Sequence, residues 1–180
     1  MTTEDDEAVR LARDGDPDAY EVLVARYTAP AHRLAYFLGA GGDAEDVVQD
    51  AFVKAYRALR RFRPGAPFRP WLLRIVANET KNAVRGRKRR EQLALRALDP
   101  RSADDPYPRV AEAERRRVLL AGLRSLAGKD REILLCRYFL DLNEAETATT
   151  LSLPVGTVKS RTSRALARLR DRLDVEVLDV

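Results

Sequence analysis

The 180-residue sequence has one cysteine and one histidine. Cys136 alone cannot close an internal disulfide, and neither it nor His32 can supply the ligand set of a zinc site, so disulfide scaffolds and zinc domains are excluded. No window approaches the roughly 18–20 consecutive apolar residues a membrane span needs. The opening, MTTEDDEAVR, is acidic where a secretory leader would be basic and then apolar. The expectation is a cytoplasmic protein without membrane insertion. Strand-like alternation, internal repeats at a fixed period and phosphate-binding glycine loops of the Walker or dinucleotide type are all missing. Aromatics make up only 7%, but 45% hydrophobic and 34% charged residues are enough for a folded helical chain, not a fibrous or disordered one.

The formal charge of +5 is unevenly spread. Residues 1–30 carry 3 basic and 8 acidic groups, a net of −5, whereas residues 61–90 carry 10 basic groups against Glu79 alone, a net of +9. A polyanion partner, most simply nucleic acid, would match that stretch. The alternative is a basic helix face that is merely solvated.

Helical periodicity predicts an all-α chain of two small helical domains. Asp16-Pro17 caps a helix carrying Tyr20, Leu23, Val24 and Tyr27. Pro30 is expected to kink or divide that helix, and the 39–42 run Gly-Ala-Gly-Gly to end it. A second helix is expected from Asp43, with Asp46 in a capping-box-like position, to about Arg60, its apolar stripe being Val47, Val48, Ala51, Phe52, Ala55, Tyr56 and Leu59. Three prolines and a glycine in 61–70 predict a shaped loop with two exposed-type aromatics, Phe62 and Phe68. A helix from Trp71 then leads into the basic cluster Arg85, Arg87, Lys88, Arg89 and Arg90. A proline- and aspartate-rich stretch without periodicity reads as a flexible linker over 94–109 between domains 1–93 and 110–180. The second domain shows four helices, at 110–126, 129–139, 143–151 and 155–173. Asn143 with Glu146 forms a possible capping box, and Ser152-Leu153-Pro154 a three-residue break. The last two helices fit a helix-turn-helix.

Three constellations carry chemistry. The final helix can pack Val158, Ala165, Leu166, Leu169 and Leu173 inward and present Thr157, Ser160, Arg164 and Arg168 outward, as a base-reading helix must. An ordinary amphipathic helix would look similar, although four bases (Lys159, Arg161, Arg164, Arg168) favour DNA. Asp43, Asp46 and Asp50 are spaced 3 and 4 apart and share a helix face. With no matching carboxylates elsewhere to complete a two-metal centre, they read as an acidic docking face or a solvated one, and no metal, cofactor or catalytic residue is expected. Phe62, Phe68 and Trp71 interleave with Arg63, Arg69, Asn78, Lys81 and Arg85, a mixture suited to unpaired DNA, where bases stack on rings and cations follow the backbone. Against this, Phe68 and Trp71 could equally close a small core. Cys136 reads as a buried apolar residue, and His32 has no assigned role.

In order, DAEDVVQDAFVKAYRALRRFRP, FRPWLLRIVANETKNAVRGRKRR and LPVGTVKSRTSRALARLR resemble a bacterial RNA polymerase sigma factor of the extracytoplasmic-function (ECF) group, over roughly residues 7–173. The resemblance implies two DNA-binding domains, regions 2 and 4, and no enzymatic activity. It implies that Asp43, Asp46, Gln49 and Asp50 dock on the β′ clamp helices of core RNA polymerase, and that region 4 contacts the β-flap. The 61–70 loop, with Trp71 and Asn78, would capture a flipped base of the melted non-template strand at the minus-ten element. Lys159, Ser160, Arg161, Ser163 and Arg164 would read the duplex minus-thirty-five element. An anti-sigma factor is a further partner the resemblance leaves open.

The sequence departs from the family pattern in four places. Thr147 and Thr150 stand where aliphatic residues are usual, predicting looser packing. Ser152 stands where glycine is common, and Asn82 replaces a frequent aspartate ahead of Arg85. The end of the chain shortly after Leu173 predicts no extra C-terminal domain. Two other classes stay in view. A stand-alone helix-turn-helix repressor would leave the acidic helix and the proline-aromatic loop without a task. A metal-dependent nuclease would use the three aspartates.

Overall fold

Asp16 starts the first long helix in the expected way: its carboxylate accepts from the amides of Asp18 (2.9 Å) and Ala19 (3.2 Å), and Pro17 fills the first turn, where no amide hydrogen is needed. The computed structural model describes residues 3–94 and 111–178, and among these it contains helices and no strand. In chain order the α-helices are α1 (Thr3–Asp14), α2 (Pro17–Ala35), α3 (Ala44–Ala58), α4 (Phe68–Ala94), α5 (Ala111–Ser125), α6 (Gly128–Leu134), α7 (Glu144–Leu151) and α8 (Val155–Leu178). The linker expected at 94–109 lies, apart from Ala94, outside the described residues.

Several local expectations are corrected. Pro30 does not divide α2, which runs through it to Ala35. A π-helical turn, Tyr36–Ala40, then ends at the glycines; Gly39 has φ 103°, a conformation that a side chain would resist. No capping box opens α3, because the Asp43 carboxylate makes no cap and pairs instead with Arg87 of α4, at 3.1 Å. α3 stops at Ala58 and continues as a 3₁₀ turn, Leu59–Arg61. The non-helical stretch after it is shorter than expected, because Phe68, Arg69 and Pro70 already form the first turn of α4, where a proline is tolerated. α1 was not anticipated from its acidic sequence; it buries Ala8, Val9 and Ala12 against α2.

The apolar stripes build two cores. The first gathers Leu23, Leu34, Val48, Phe52, Leu59, Leu72, Leu73 and Val76 from α2, α3, the 3₁₀ turn after it and α4. Tyr56, expected in this stripe, is instead half-exposed at its edge with its ring 4.8 Å from that of Tyr20. The second core gathers Leu123, Leu126, Ile133, Leu134, Ala148, Val158, Ala165 and Leu169. Within it α5 approaches α8 closely at Gly122, where a Cβ atom would come within 3.0 Å of Leu173. Asn143 and Glu146 do form a reciprocal capping box on α7, with bonds of 2.9 and 2.8 Å. The turn between α7 and α8 holds Ser152 in the left-handed region (φ 55°, ψ 48°), which explains why glycine would suit that position.

α1 is fixed to α2 by a polar cluster that is buried at Asp5 and Tyr27 and open at Arg26 and Glu4: Asp5 accepts from the Tyr27 hydroxyl (2.6 Å) and pairs with Arg26, which also reaches Glu4 at 3.0 Å. Tyr20, with its hydroxyl donating to the Phe52 carbonyl at 2.6 Å, is also largely shielded. Burial raises both phenols well above their ordinary 10.0, and for Tyr27 the bond to Asp5 adds to the rise. The unfolded chain ionises these phenols near pH 10 while the folded chain keeps its protons, so this stability is present below pH 10 and is lost as pH rises beyond it. Tyr27→Phe is expected to cost about 1–2 kcal/mol at pH 7 and to make the alkaline decline shallower, as read from urea midpoints at pH 7 and above pH 10. An unchanged alkaline slope would show that Tyr27 does not govern it.

Candidate nucleic-acid interface

α4 presents different residues on different sides. Leu72, Leu73 and Val76 are buried in the core shared with the N-terminal helices, and Thr80 is buried as well. At helical spacing, Trp71, Asn78, Asn82 and Arg85 share another face, on which Asn78, Asn82 and Arg85 are exposed and Trp71 is half-buried. The Arg85 guanidinium is oriented by the Asn82 side-chain oxygen at 2.9 Å and the Lys81 carbonyl at 3.2 Å. The asparagine that departs from the family pattern thus holds the arginine by a hydrogen bond in place of an ion pair.

Two sequence expectations fail here. Phe62 and Phe68 are 5% and 3% exposed, not open stacking surfaces, which for Phe68 is the core alternative left open in the sequence. They pack on each other and on Trp71, with centroids 5.9, 4.7 and 5.5 Å apart, and Phe68 also meets Tyr27. The reason is the helix starting at Phe68, which turns that ring inward, while the extended residue Phe62 (ψ 131°) folds back over it. The tip of the loop, Arg63, Pro64 and Gly65, stays exposed, with Gly65 at φ 73° and the Ala66 amide bonded to the Arg63 carbonyl at 3.2 Å. Arg69 and Lys81 are directed elsewhere: Arg69 donates to the Leu140 carbonyl, and the Lys81 ammonium lies 2.9 Å from Glu132.

On α3, Asp46, Gln49 and Asp50 are exposed opposite buried Val47, Val48 and Ala51. Asp43, beyond the helix end, belongs to a different arrangement. Arg87 binds its carboxylate together with the carbonyls of Gly39 (2.6 Å) and Ala40 (2.9 Å), fastening the glycine turn to α4. Arg87 was read in the sequence only as one of a basic cluster. Among the described residues no group of three or more metal-ligating side chains converges.

α8 buries Val158, Ala165 and Leu169 and leaves Leu166 and Leu173 half-buried, as its periodicity predicted. Lys159, Ser160, Ser163 and Arg164 are exposed, with Thr157 and Arg161 partly so. The Arg164 guanidinium donates to the Ser160 carbonyl (3.1 Å), and the Ser160 hydroxyl donates to the Thr157 carbonyl (3.2 Å). Arg168, expected beside them, instead pairs with the nearly buried Asp130 of α6. Position 168 lies one further turn along α8, where the helix passes α6, so this arginine ties two helices together. Asp130 could have been suspected from its place in the first turn of a helix, but its partner could not.

Residues 23–90 match the family Sigma-70 region 2, and residues 116–169 match Sigma-70, region 4. The ECF RNA polymerase sigma-E factor of Escherichia coli is 32% identical over 179 residues, 94% of this chain and 92% of that protein. RNA polymerase sigma factor CnrH of Cupriavidus metallidurans is 33% identical over 190 residues, covering 98% of each. A solved structure of CnrH in complex with the cytosolic domain of CnrY has a TM-score of 0.73 at 31% identity, covering 96% of this chain and 98% of that one. The sigma factor RpoE of Bartonella quintana, solved with the anti-sigma factor NepR, has a TM-score of 0.70 at 26% identity, covering 87% and 97%.

The pairing of Arg168 with Asp130 leads to a stability effect. Arg168→Ala and Asp130→Ala should each destabilise the chain by about 1 kcal/mol, and the double variant by little more than the worse single one. A double-mutant cycle from urea unfolding measures the coupling. Strict additivity of the two single effects would show that the pair holds nothing.

Proposed function

Because the chain belongs to the sigma-70 family, in its ECF group, it directs core RNA polymerase to promoters and initiates transcription without being an enzyme, and we propose that three of its surfaces divide this work. The exposed face Asp46, Gln49 and Asp50 docks on the β′ clamp helices, and region 4 meets the β-flap. The α4 face of Trp71, Asn78 and Arg85, with Arg63 at the loop tip, holds the melted non-template strand of the minus-ten element. The start of α8, Thr157, Lys159, Ser160, Arg161, Ser163 and Arg164, reads the minus-thirty-five duplex. The observation that carries this reading is the two-sidedness of α8: its apolar residues are spent on the second core, and its donors are left facing outward. A region 2 unit over 1–93, a linker over 94–109 and a region 4 unit over 110–180 complete the scheme. The protein acts in the cytoplasm, with the polymerase; among the described residues no helix is long and apolar enough to cross a membrane. Since two similar sigma factors were solved as complexes with CnrY and NepR, an anti-sigma factor is a fitting regulator for this chain.

Arg164→Ala in the holoenzyme should weaken recognition of the upstream element by roughly 1–3 kcal/mol if the side chain reaches a base edge. Binding compared on cognate and scrambled minus-thirty-five sequences separates base reading from phosphate contact, which would weaken both equally. Unchanged affinity for both would remove Arg164 from the interface.

Charge reversal at Asp46 and Asp50 should weaken assembly with core polymerase while changing folding stability by no more than about 0.5 kcal/mol, because both are exposed and away from the apolar stripe. Titration against core polymerase and in vitro transcription measure it. Unaltered assembly would place docking on another surface.

A further inference from the structure

A cavity of about 190 Å³ opens where the turn after α2 faces α5 and α6, and none of the residues lining it belongs to the surfaces assigned to polymerase or DNA. Leu123 and Leu135, both buried, give it an apolar wall. Tyr36 and Phe37 supply two rings set edge to face with centroids 5.6 Å apart, and Phe37 also packs on Phe139 at 5.5 Å. Gly39 and Gly41 contribute backbone alone, and a Cβ atom on Gly41 would meet nothing within 4 Å. Arg87 keeps that turn in place through the Gly39 and Ala40 carbonyls. Two cations complete the lining, Arg124 near the end of α5 and Arg131 in α6, and among the described residues that line the cavity there is no carboxylate. The acids on either side of Arg131 are engaged elsewhere, Asp130 by Arg168 and Glu132 by Lys81. Arg131 donates through Nη1 to the Arg124 carbonyl at 3.1 Å, which joins the two helices, while its Nε is buried with no acceptor among the described residues. A buried donor in that condition is unfavourable, and an oxyanion that accepts from it removes the penalty.

We infer that this cavity binds a small aromatic oxyanion, an aryl phosphate or aryl carboxylate, with the acid group on Arg124 and Arg131 and the ring against Phe37, Leu123 and Leu135. Size limits the class. Sites that bury drug-sized ligands measure about 300–1,000 Å³, so this smaller space admits one ring with its acid group and excludes a nucleotide. Charge sets the sign. The planar fork of a guanidinium suits two oxygens of a carboxylate or phosphate, and beside apolar walls, where the local dielectric is low, arginines without a carboxylate attract an anion more strongly than they would on an open helix face. The apolar wall also separates this site from Lys88, Arg89 and Arg90, which are exposed and offer charge without a cavity. Since α5, α6 and the turn after α2 all line the space, a bound ligand touches both halves of the chain and stabilises the folded molecule by mass action. The inference is independent of the promoter-element assignments, because it involves neither α8 nor the outer face of α4.

Calorimetric titration of the free, full-length chain with phenyl phosphate, benzoate, inorganic phosphate and phenol separates the contribution of the charge from that of the ring. The tighter of the two ring acids should bind one to one, about tenfold more tightly than inorganic phosphate or phenol, and should move the methyl resonances of Leu123 and Leu135. Arg124→Gln, at an exposed position, should weaken that binding about fivefold with helicity by circular dichroism unchanged. Leu120→Trp, which fills the cavity from α5, should abolish it. Arg131→Gln should weaken it as well, but it also removes the bond to the Arg124 carbonyl; were that variant to lose helicity, Arg124→Gln and Leu120→Trp would decide the matter. Arg89→Gln, outside the cavity, should leave the affinity unchanged. A ring acid that binds no more tightly than inorganic phosphate, or that Arg89→Gln weakens as much as Arg124→Gln does, would assign the binding to the general basic surface and overturn the site. Absence of heat and of methyl shifts with both ring acids would overturn it equally.

Discussion

One helix has to satisfy three demands at once, and the rest of the structure is arranged around that requirement. α4 is 27 residues long, and it supplies one wall of the N-terminal core, an outward polar face and a seat for the C-terminal unit. The core wall needs large apolar residues, supplied by Leu72, Leu73 and Val76, and the one polar residue among them, Thr80, bonds the Val76 carbonyl at 2.8 Å and so needs no outside partner. Arg87 then fixes the far end of the helix by collecting two carbonyls and a carboxylate from the glycine turn. Because those carbonyls belong to a π-helical turn ending at a positive-φ glycine, the turn and the arginine stabilise each other.

Internal pairing decides which cations are left for other molecules. Arg26, Lys54, Arg87 and Arg168 each meet a carboxylate within the chain, at Asp5 and Glu4, Glu79, Asp43 and Asp130 respectively. Arg85 and Arg164, in contrast, rest on oxygens of their own helix, at Asn82 and Lys81 and at Ser160. Such neutral acceptors orient a guanidinium without neutralising it, so its charge remains available to a phosphate or a base edge. The departure at Asn82 has the same effect, since aspartate there would compete with DNA for Arg85.

Thr147 and Thr150 were expected to loosen the helix-turn-helix, yet they are 0% and 2% exposed. Both side chains are buried, and the hydroxyls are near acceptors, Leu142 at 3.5 Å and Pro70 at 3.4 Å. Polar residues in such a position contribute less by area than aliphatic ones and more by direction.

The sequence by itself determined what depends on neighbours along the chain: the all-α class, the Asp16-Pro17 start, the capping box of Asn143 and Glu146, the glycine stop after α2, and the buried stripe of α8, since caps and 3.6-residue periods act within one or two turns. The acidic face of α3 was legible for the same reason, because exposure on a helix follows from its apolar stripe. Only the tertiary structure decided the burial of Phe62 and Phe68, the diversion of Arg168 to Asp130, the clamp made by Arg87 and the pairing of Lys81 with Glu132. The last three join residues far apart in sequence, as does the contact of Phe68 with Tyr27, and periodicity carries no information about which distant surface a side chain will meet. An arginine on an exposed helix face looks the same in the sequence whether it awaits a phosphate or is already held by a carboxylate from another helix.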